Sequence, residues 1–547
     1  MTNVKINLNH GWKKIDNIYI KGTILENNHI LKPEDVFHKL NELEESKVID
    51  CLRHLNGYFS IINVNENNGW MAVDRIRSFP LFYGKQKDSL IISDVASLVK
   101  EQVGDLDIHP IARQEFLLTG FVTGPDTLFE NVKQMQAGEV VFFNIDEGCV
   151  NLKSTRYYNY FHTRYYDTDN EYLLQQLDVV MSNIFDRLIT IANGRTIFVP
   201  LSGGYDSRFI VLMLKRLGYG NTYAFSYGIP NNEESLISKF IANKLNIRWR
   251  FVEYTNELWR QWYNTDTMRH YFKMAGNFCS LPHIQDWPAV LQLKNDIDSD
   301  AIFVPGISAD LNTGGFVEKY PSIYEANATE DDLIKLILNY SYELYPFSNI
   351  PLDIKHVIEQ KILRIIDNKP YGGTYGEKFE CWVSTEKVAK FVLNSVRVYE
   401  FFGFDWWTPY WDDEFVSFWY NVPHQLRYGQ KLYTAYLAKI TQELNLLGDI
   451  DPLFRDGRLP QKLRAQLTNG SSRRVNLMKI IKPAAKRILP DMAKKYLRKK
   501  ANLYGFKKHP LQWYGIHNDK YIRELIKKGA ININSIIVLD YLDYLSN

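Results

Sequence analysis

The sequence predicts an α/β protein in which a layered domain of antiparallel strands precedes a domain built on a parallel sheet. Short apolar strands alternate with Asn, Gly and Asp clusters in the first part of the chain, as in an antiparallel domain. From about residue 171, strands alternate with amphipathic helices, which is typical of a parallel sheet covered by helices. After about residue 455 the chain becomes basic with a helical pattern.

Length and composition are consistent with this organisation. A chain of 547 residues is too long for one ordinary core, so we expect two or three domains. We divide it into residues 1–165, 171–455 and 456–547. With 45% hydrophobic and 23% charged residues the composition is that of a soluble globular protein, and a net charge of +2 argues neither for nor against a charged partner.

The four cysteines are scattered without CxxC spacing, which argues against a zinc site and against a disulfide framework. The first residues lack the apolar core of a signal peptide, and no apolar run is long enough to span a membrane. We therefore expect a cytoplasmic protein.

The antiparallel domain is predicted from five strand-like segments. They are "NIYIKGTI", "GYFSIINVN", "GWMAVDRI", "PLFYG" and "SLIISD". The parallel-sheet domain is predicted from a second series of alternating helices and strands. In chain order these are the helix "NEYLLQQLDVVMSNIFDRLITIA", the strand "RTIFVP", a helix, the strand "NTYAFSYG", the helix "NEESLISKFIANKL", and the strands "RWRFVEYT" and "AIFVPG".

The stretch "VPLSGGYDSRFI" (residues 199–210) joins a predicted strand to a predicted helix. We expect Gly203 and Gly204 to adopt positive φ and to let a ligand approach the backbone. Free N–H groups at the helix start, together with the hydroxyls of Ser202 and Ser207, would bind a phosphate or pyrophosphate. Asp206 would repel phosphates unless a hard cation such as Mg²⁺ lay between them, so the loop indicates a metal nucleotide.

"SGGYDS" resembles the SGGxDS pyrophosphate loop of the ATP pyrophosphatase superfamily, whose members cleave ATP between the α and β phosphates. No GxxxxGK[ST] segment is present, which excludes a Walker-type phosphate loop. The resemblance implies ATP and Mg²⁺ as cofactors and an adenine nucleotide alpha hydrolase-like fold for residues 171–455.

Further segments resemble the asparagine synthetase family. "LNGYFSIINVN", "MAVDRIRSFPLFYG" and "FLLTGFVTGPDTLFENVKQMQAGEVVFF" are similar to its class II glutamine amidotransferase domain, which has an Ntn-like layered fold. "VPGISADLNTGGF" (residues 304–316) is similar to the family's second metal and substrate loop, and "TPYWDDEFVSFWYNVP" to its RxPFLD segment. The resemblance implies an ATP-dependent carbon–nitrogen ligase that adenylates a substrate carboxylate, releasing AMP and pyrophosphate, for attack by ammonia or an amine.

The resemblance also assigns site residues. Asp206 and Asp310 would hold the metal, and Asp206, Asp310 and Lys431 would act in catalysis. The ATP-binding residues would be Val199, Leu201, Ser202, Gly203, Gly204, Asp206, Ser207, Ser226, Tyr227, Gly228 and Gly306. Lys439 is the next candidate for the family lysine after Lys431, and either could instead be a solvated surface lysine.

The departures from the family pattern are informative. Glutamine-hydrolysing members expose a cysteine after removal of Met1, where this chain has Thr2, and the RRLSI and NGEIYN patterns that clamp glutamine are missing. We therefore predict that the domain keeps its fold without glutaminase activity, with Cys51 as an ordinary core cysteine. In the second loop, Ile307 stands where the family has a Glu that helps to position or deprotonate the substrate. We therefore predict that the ATP chemistry is kept and that the binding of the acceptor substrate is altered.

Several alternatives remain open at this stage. The substrate could be a uronic acid of a surface polysaccharide pathway, a specialised metabolite or a peptide, as in the β-lactam-forming synthetases and lasso peptide cyclases among the relatives. A tRNA-modifying ATP pyrophosphatase would use the basic segment from Arg473 to Lys508, but no catalytic cysteine pair supports nucleic acid as partner. A catalytically silent binding protein and a homodimer also remain open. Arg208 could meet an anionic substrate or pair with a surface acid, and His283 is interpreted as structural.

Overall fold

The computed structural model describes residues 3–160, 162, 165–167, 169–367, 373–446, 503–530 and 532–546. The strands are β1 (Val4–Asn7), β2 (Lys13–Ile15), β3 (Ile18–Glu26), β4 (His29–Ile30), β5 (Asn56–Asn65), β6 (Asn68–Val73), β7 (Phe82–Gln86), β8 (Ser89–Ser93), β9 (Lys133–Gln134), β10 (Glu139–Asp146), β11 (Cys149–Arg156), β12 (Ile197–Pro200), β13 (Thr222–Gly228), β14 (Arg248–Glu253), β15 (Ile302–Phe303) and β16 (Asp405–Trp406).

The helices are α1 (Pro33–Leu40), α2 (Glu45–His54), α3 (Ala96–Val103), α4 (Pro110–Thr119), α5 (Asn170–Ala192), α6 (Tyr205–Arg216), α7 (Glu233–Leu245), α8 (Asn256–Tyr263), α9 (Asp266–Gly276), α10 (Trp287–Leu293), α11 (Ala309–Thr313), α12 (Gly315–Lys319), α13 (Glu330–Ser341), α14 (Leu352–Asp367), α15 (Tyr375–Trp382), α16 (Arg397–Phe401), α17 (Asp413–Tyr420), α18 (His424–Arg427), α19 (Lys431–Glu443), α20 (Asp519–Lys528) and α21 (Ile533–Ser546). A π-helix, Val383–Val392, follows α15 directly. The predicted strands and helices named above are all present.

Two sheets form the N-terminal part. The seven-stranded sheet runs β11-β10-β6-β5-β3-β2, with β4 paired to β3, and all its pairings are antiparallel. The four-stranded sheet runs β1-β8-β7-β9. In it β1 pairs with β8 in parallel, which the antiparallel prediction missed. A parallel pair needs a long connection, and the chain from β2 to β7, with α1 and α2, provides it.

Apolar side chains arrange these sheets in layers. Ile62, Met71 and Ile92 belong to a core between the two sheets. On the other face of the seven-stranded sheet, Val36 of α1 and Leu52 of α2 pack in a second core. The outer face of the four-stranded sheet packs against α3, α4 and the rest of the molecule. The result is the layered antiparallel domain that the sequence predicts, with mixed α and β structure.

The third sheet is fully parallel, as predicted, with strand order β14-β13-β12-β15-β16. Ile197 of β12 lies beside Ile302 of β15, so these two strands end next to each other. Because the carboxyl ends of parallel strands share one edge, the loops that follow β12 and β15 meet there.

The expected basic extension is described only in part. Most of the segment from Arg473 to Lys508 lies outside the described residues. Residues 503–530 and 532–546 join the main core through side chains such as Ile522 and Tyr541. The backbone N–H of Ile229 also donates to the carbonyl of Pro510 at 2.8 Å. The described end of the chain is therefore integrated into the parallel-sheet domain.

Two absences concern the part of the chain that the structure describes. No helix in these residues combines the length and the apolar character needed to cross a membrane. All four cysteines are free thiols, and Cys51 packs against the core beside α1 and α2 as expected for an ordinary core cysteine.

Candidate functional site

A cavity of about 460 Å³ opens at the carboxyl ends of β12 and β15. This volume lies within the range of small-molecule sites. Its walls come from the predicted loop, the loop after β15, α12, α13, the π-helix and the turn before α19. The lining residues are Ser202, Gly204, Tyr205, Asp206, Ser207, Gly306, Ser308, Asp310, Leu311, Phe316, Tyr340, Val383, Val388, Val392 and Gln430.

The loop after β12 is held by its own serines. The backbone N–H of Ser202 donates to Oγ of Ser207 at 3.0 Å, and the two hydroxyls lie 3.1 Å apart. The N–H of Gly204 donates to Oγ of Ser202 at 3.1 Å. Helix α6 starts here without a side-chain cap. An uncapped helix start presents N–H groups and a partial positive charge, which favours an anion such as a phosphate.

The two glycines of the loop differ from the prediction. Gly204 has φ −73°, and neither it nor Gly203 adopts positive φ. Both glycines are instead closely packed. A Cβ on Gly204 would lie 3.3 Å from Oγ of Ser202, and a Cβ on Gly203 would lie 3.1 Å from the side chain of Ile237. The missing side chains therefore leave room for close packing of the loop.

Arg208 stabilises the loop from behind. Its side chain is buried, and its Nε and Nη2 donate to the carbonyls of Gly204 and Gly203 at 3.0 and 3.1 Å. Arg208 is not among the lining residues of the cavity. The sequence suggested that it would meet an anionic substrate or pair with a surface acid, and neither interpretation anticipated that it holds the loop. The guanidinium therefore holds the carbonyls of both loop glycines.

Asp206 and Asp310 lie in the same cavity, as the sequence predicted for a metal pair. Asp206 is in the first turn of α6, after β12, and Asp310 is in α11, after the neighbouring β15. The backbone of Ala309 hydrogen-bonds to the Asp206 carboxylate, which brings the two acidic segments into direct contact. The two acids therefore come from adjacent strand ends.

Two tyrosines from distant segments hold Asp206. The hydroxyl of Tyr410 donates to the backbone carbonyl of Asp206 at 2.6 Å, and that of Tyr433 donates to Oδ1 at 3.4 Å. Both tyrosines are buried. Sequence analysis placed Tyr410 only in a segment of family resemblance and gave no role to Tyr433.

The electrostatics of this pair favour a cation. Burial, and then the nearby charge of Asp310, raise the pKa of Asp206 to about 8. Asp310 presents its side chain to the cavity, yet the enclosing walls still desolvate it and raise its pKa. Among the described lining residues none is Lys, Arg or His. Two carboxylates with no cationic side chain in the cavity lining suit Mg²⁺, which prefers oxygen ligands and takes the remainder from phosphates and water.

A larger protein-only metal site is not present in the described chain. No group of three or more His, Cys, Asp or Glu side chains among these residues is placed to hold an ion. A metal at Asp206 and Asp310 would therefore need further ligands from water or from a bound phosphate.

Gly306 lets the two loops approach each other. A Cβ at this position would lie 2.7 Å from the backbone nitrogen of Ser207 and 2.9 Å from Cβ of Asp206. Such distances are too short for any side chain. The family-derived prediction that Gly306 belongs to the site agrees with its position in the cavity wall.

Two other wall residues have unusual backbone conformations. Ser308 has φ 59° and Gln430 has φ 53°, and the side-chain amide of Gln430 donates to Oγ1 of Thr313 at 2.6 Å. Left-handed φ at non-glycine residues costs about 1–2 kcal/mol each and persists where surrounding contacts enforce it. This part of the wall is therefore tightly determined by its neighbours.

Several predicted nucleotide-binding residues do not line the cavity. Val199 and Leu201 are buried in the sheet, as is Ser226. Tyr227 donates to Asp286, and a Cβ on Gly228 would lie 3.0 Å from the carbonyl of Pro510. The end of β13 is thus covered by the C-terminal part of the chain.

The candidate lysines also lie apart from the cavity lining. Lys431 is exposed, next to the wall residue Gln430, with its Nζ 5.9 Å from the ring of Tyr428. Nζ of Lys439 lies 3.4 Å from the carboxylate of Asp178, and the same carboxylate pairs with Arg216. Lys439 therefore belongs to an ion cluster at the surface.

Three further sequence predictions concern residues that are not among the described lining residues of the cavity. Nε2 of His283 donates to the carbonyl of Phe391 at 2.7 Å, and burial lowers its pKa to about 4, so its structural interpretation is confirmed. Ile307 is buried between the wall residues Gly306 and Ser308. Thr2 lies outside the described residues.

Sequence analysis missed a large part of the wall. These residues are Tyr205, Ser308, Leu311, Phe316, Tyr340, Val383, Val388, Val392 and Gln430. Leu311 and Phe316 stand in the quoted segment 304–316, so their position could have been noticed. The three valines follow a π-helical spacing, which the usual helix period does not reveal.

One comparison identifies the N-terminal domain. Residues 34–158 match the family model of a glutamine amidotransferase domain. The chain therefore contains an amidotransferase-type domain, which is characteristic of amide-forming enzymes. The match covers the seven-stranded sheet from β5 onward and all of the four-stranded sheet except β1.

Solved structures give weaker likenesses. The chain is similar to a glutamine phosphoribosylpyrophosphate amidotransferase from B. subtilis complexed with ADP and GMP, at 12% identity over 44% of this chain and 72% of that chain, with a TM-score of 0.19. It is also similar to a structure described as the allosteric regulatory enzyme of purine biosynthesis, at 11% identity over 55% of this chain, with a TM-score of 0.19. The chain spans 58% of the length of that second protein. Likenesses at these TM-scores carry no argument about fold or function.

No curated protein matches this chain.

Proposed function

We propose that this chain is an ATP-dependent, amide-forming ligase that adenylates a substrate carboxylate. The observation that carries the proposal is the placement of Asp206 and Asp310, from two adjacent parallel strand ends, in one cavity with the uncapped start of α6. An anion site beside two unpaired acids suits a metal-bound polyphosphate better than a free anion. The amidotransferase-type domain adds support for amide chemistry.

Each group in the cavity has a role in this proposal. Ser202, Gly204 and Ser207, with the first N–H groups of α6, bind the β and γ phosphates of ATP. Asp206 and Asp310 hold Mg²⁺, which when bound neutralises phosphate charge. Arg208 and Tyr410 position the loop and Asp206. Backbone N–H groups aimed at developing charge on the leaving pyrophosphate contribute about 2.7–4 kcal/mol each in comparable sites.

The proposed reaction has two steps. A carboxylate oxygen attacks the α phosphorus of ATP, and the bond from that phosphorus to the bridging oxygen of pyrophosphate breaks. An amine then attacks the carbonyl carbon of the acyl-adenylate, AMP leaves, and the amine loses a proton. The products are an amide, AMP and pyrophosphate.

The experiment is carboxylate-dependent exchange of labelled pyrophosphate into ATP by the full-length protein. We expect exchange with at least one carboxylate and a loss of about 10²-fold or more in Asp206→Asn and Asp310→Asn. The matched control is Asp296→Asn, an exposed acid paired with Arg250 away from the cavity.

The result of the exchange assay, together with tests of tRNA and ATP binding, distinguishes a ligase from an RNA-modifying enzyme and from a catalytically silent binding protein. If no carboxylate supports exchange, or if both variants keep full exchange, the ligase proposal fails. Salt-sensitive binding of tRNA with ATP-dependent tRNA modification would instead favour the RNA-modifying alternative, and a protein that neither binds nor turns over ATP would be a silent relative.

A further inference from the structure

Part of the cavity lining is apolar. Its wall is formed by Leu311, Phe316 and the ring of Tyr340, together with three valines of the π-helix. Leu311, Phe316 and Val383 are at most 6% exposed, so they form a rigid wall backed by the main core. The wall and the phosphate loop face the same space, so a group bound here would lie beside the nucleotide.

The π-helix places its valines together. Val383, Val388 and Val392 are spaced by five and four residues and all line the cavity. Hydrogen bonds from i to i+5 give a helix more than four residues per turn, so residues four or five apart share a face. In an ordinary α-helix, positions 383 and 388 would point in clearly different directions. The π-helix is therefore what makes this a continuous apolar surface.

The opposite side of the π-helix is committed to other contacts. Glu386 and Lys390 form a fully buried ion pair at 2.6 Å and bond to the backbone of Gly124. The valine face is thus not free to turn away from the cavity.

The charges of the lining limit what can bind there. Among the described residues that line the cavity, Asp206 and Asp310 are the charged ones, and the proposed function uses both for Mg²⁺. A second carboxylate or an ammonium that packed against the valines, Leu311 or Phe316 would meet no partner among these side chains, and burying an unpaired charge is costly. Ile307 occupies the loop position between Gly306 and Ser308, so that position also offers no charge.

A polyhydroxylated group packed against this wall fits equally poorly. Each sugar hydroxyl needs a hydrogen-bond partner when buried; among the wall residues only Tyr340 carries a hydroxyl, and the valine, leucine and phenylalanine side chains offer no partner. An aliphatic chain loses nothing on entering this wall and gains from the removal of apolar area from water.

We propose, on the basis of the ligase function proposed above, that the adenylated substrate is a monocarboxylate with an apolar acyl chain. The chain packs against Phe316 and the π-helix valines, and the carboxylate reaches toward the phosphate loop. Val388, in the middle of the valine face, is a specificity-determining residue.

The test is the pyrophosphate exchange assay with octanoate, aspartate and glucuronate as alternative carboxylates for the full-length protein. We expect octanoate to give a kcat/KM about tenfold or more above the other two, because one or two methylene contacts in an apolar pocket discriminate by about that factor. We also expect Val388→Thr, which has nearly the same shape, to raise the KM for octanoate about tenfold while kcat and the KM for ATP stay within about twofold.

The matched control is Val396→Thr. Val396 is fully buried just after the π-helix and does not line the cavity. Thermal unfolding of both variants corrects for any common loss of stability. Preferred exchange with aspartate or glucuronate, or equal KM changes in the two variants, would overturn the apolar assignment and leave the ligase function standing. Exchange with none of the three, and with no other carboxylate, would overturn both.

Discussion

The side-chain carboxylate of Glu386 accepts a hydrogen bond from the backbone N–H of Gly124 at 2.9 Å. Glu386 is in the π-helix, and Gly124 is in the amidotransferase-type domain. Nζ of Lys390 completes the contact by donating to the Gly124 carbonyl and to Glu386, each at 2.6 Å. One face of the π-helix is therefore bonded to the N-terminal domain while the other lines the cavity.

Removing one member of this buried pair should destabilise the protein strongly. We expect Lys390→Met to lower the free energy of unfolding by about 3–5 kcal/mol, because it leaves Glu386 buried without its cation. The double variant Glu386→Gln with Lys390→Met should lose less, since no isolated charge remains. Denaturant unfolding followed by circular dichroism measures both.

The control for this pair is Lys335→Met, whose ion pair with Asp331 is exposed. It should leave the unfolding midpoint unchanged. A Lys390→Met variant as stable as the wild type would show that the Gly124 contact does not connect the two parts of the chain energetically.

Adding a methyl group at Gly306 should impair nucleotide binding. In Gly306→Ala the new Cβ would meet the Ser207 nitrogen at 2.7 Å, so the loops after β12 and β15 must separate. We expect the KM for ATP to rise about tenfold or more with the fold retained. Gly220→Ala is the control, since a Cβ there has no neighbour within 4 Å. Equal ATP affinity in the two variants would contradict close contact of these loops.

The stability of the protein should depend on pH through Glu380. This buried carboxylate lies 3.0 Å from Nη1 of Arg427 and 2.9 Å from Nε2 of His162, and it accepts the hydroxyl of Tyr324 at 2.5 Å. The charge of Arg427 and these hydrogen bonds outweigh burial and lower its pKa to about 2. Because the folded pKa lies below the unfolded value of 4.5, the contribution is present above pH 4.5 and is lost as the pH falls toward 2.

The measurement compares wild type with Glu380→Gln from pH 7 to pH 3. At pH 7 we expect the variant to be less stable by several kcal/mol, because Arg427 stays buried without its carboxylate. The difference should shrink below pH 4.5 as the wild type loses up to roughly 3 kcal/mol. A constant difference across this range would mean that the pKa of Glu380 is the same in the folded and unfolded protein.

The amidotransferase-type domain should not hydrolyse glutamine. The chain has Thr2 in place of the nucleophilic cysteine, and the segments that clamp glutamine in the family are missing. We expect no free glutamate above background when the pure protein is incubated with glutamine, with or without ATP. Release at enzymatic rates, abolished in Thr2→Ala, would show instead that Thr2 acts as the nucleophile.

The sequence by itself determined the order of domains, the strands and helices, and the loop from Ser202 to Ser207. These features are local: alternating apolar residues, helical periodicity and adjacent glycines act over a few positions, so they can be recognised without a partner. The two acids were also recognisable, Asp206 from the chemistry of its loop and Asp310 from the resemblance of segment 304–316 to a known metal and substrate loop.

Only the tertiary structure decided which distant residues complete the site. The π-helix valines, the tyrosine that holds Asp206 and the parallel pairing of β1 with β8 depend on contacts between segments far apart in the chain. The π-helix Val383–Val392, with its hydrogen bonds from i to i+5, also cannot be recognised by a search for apolar residues at the α-helical period of 3.6 residues. Packing between distant elements, rather than local sequence propensity, therefore determines the apolar wall of the cavity, where we place the substrate.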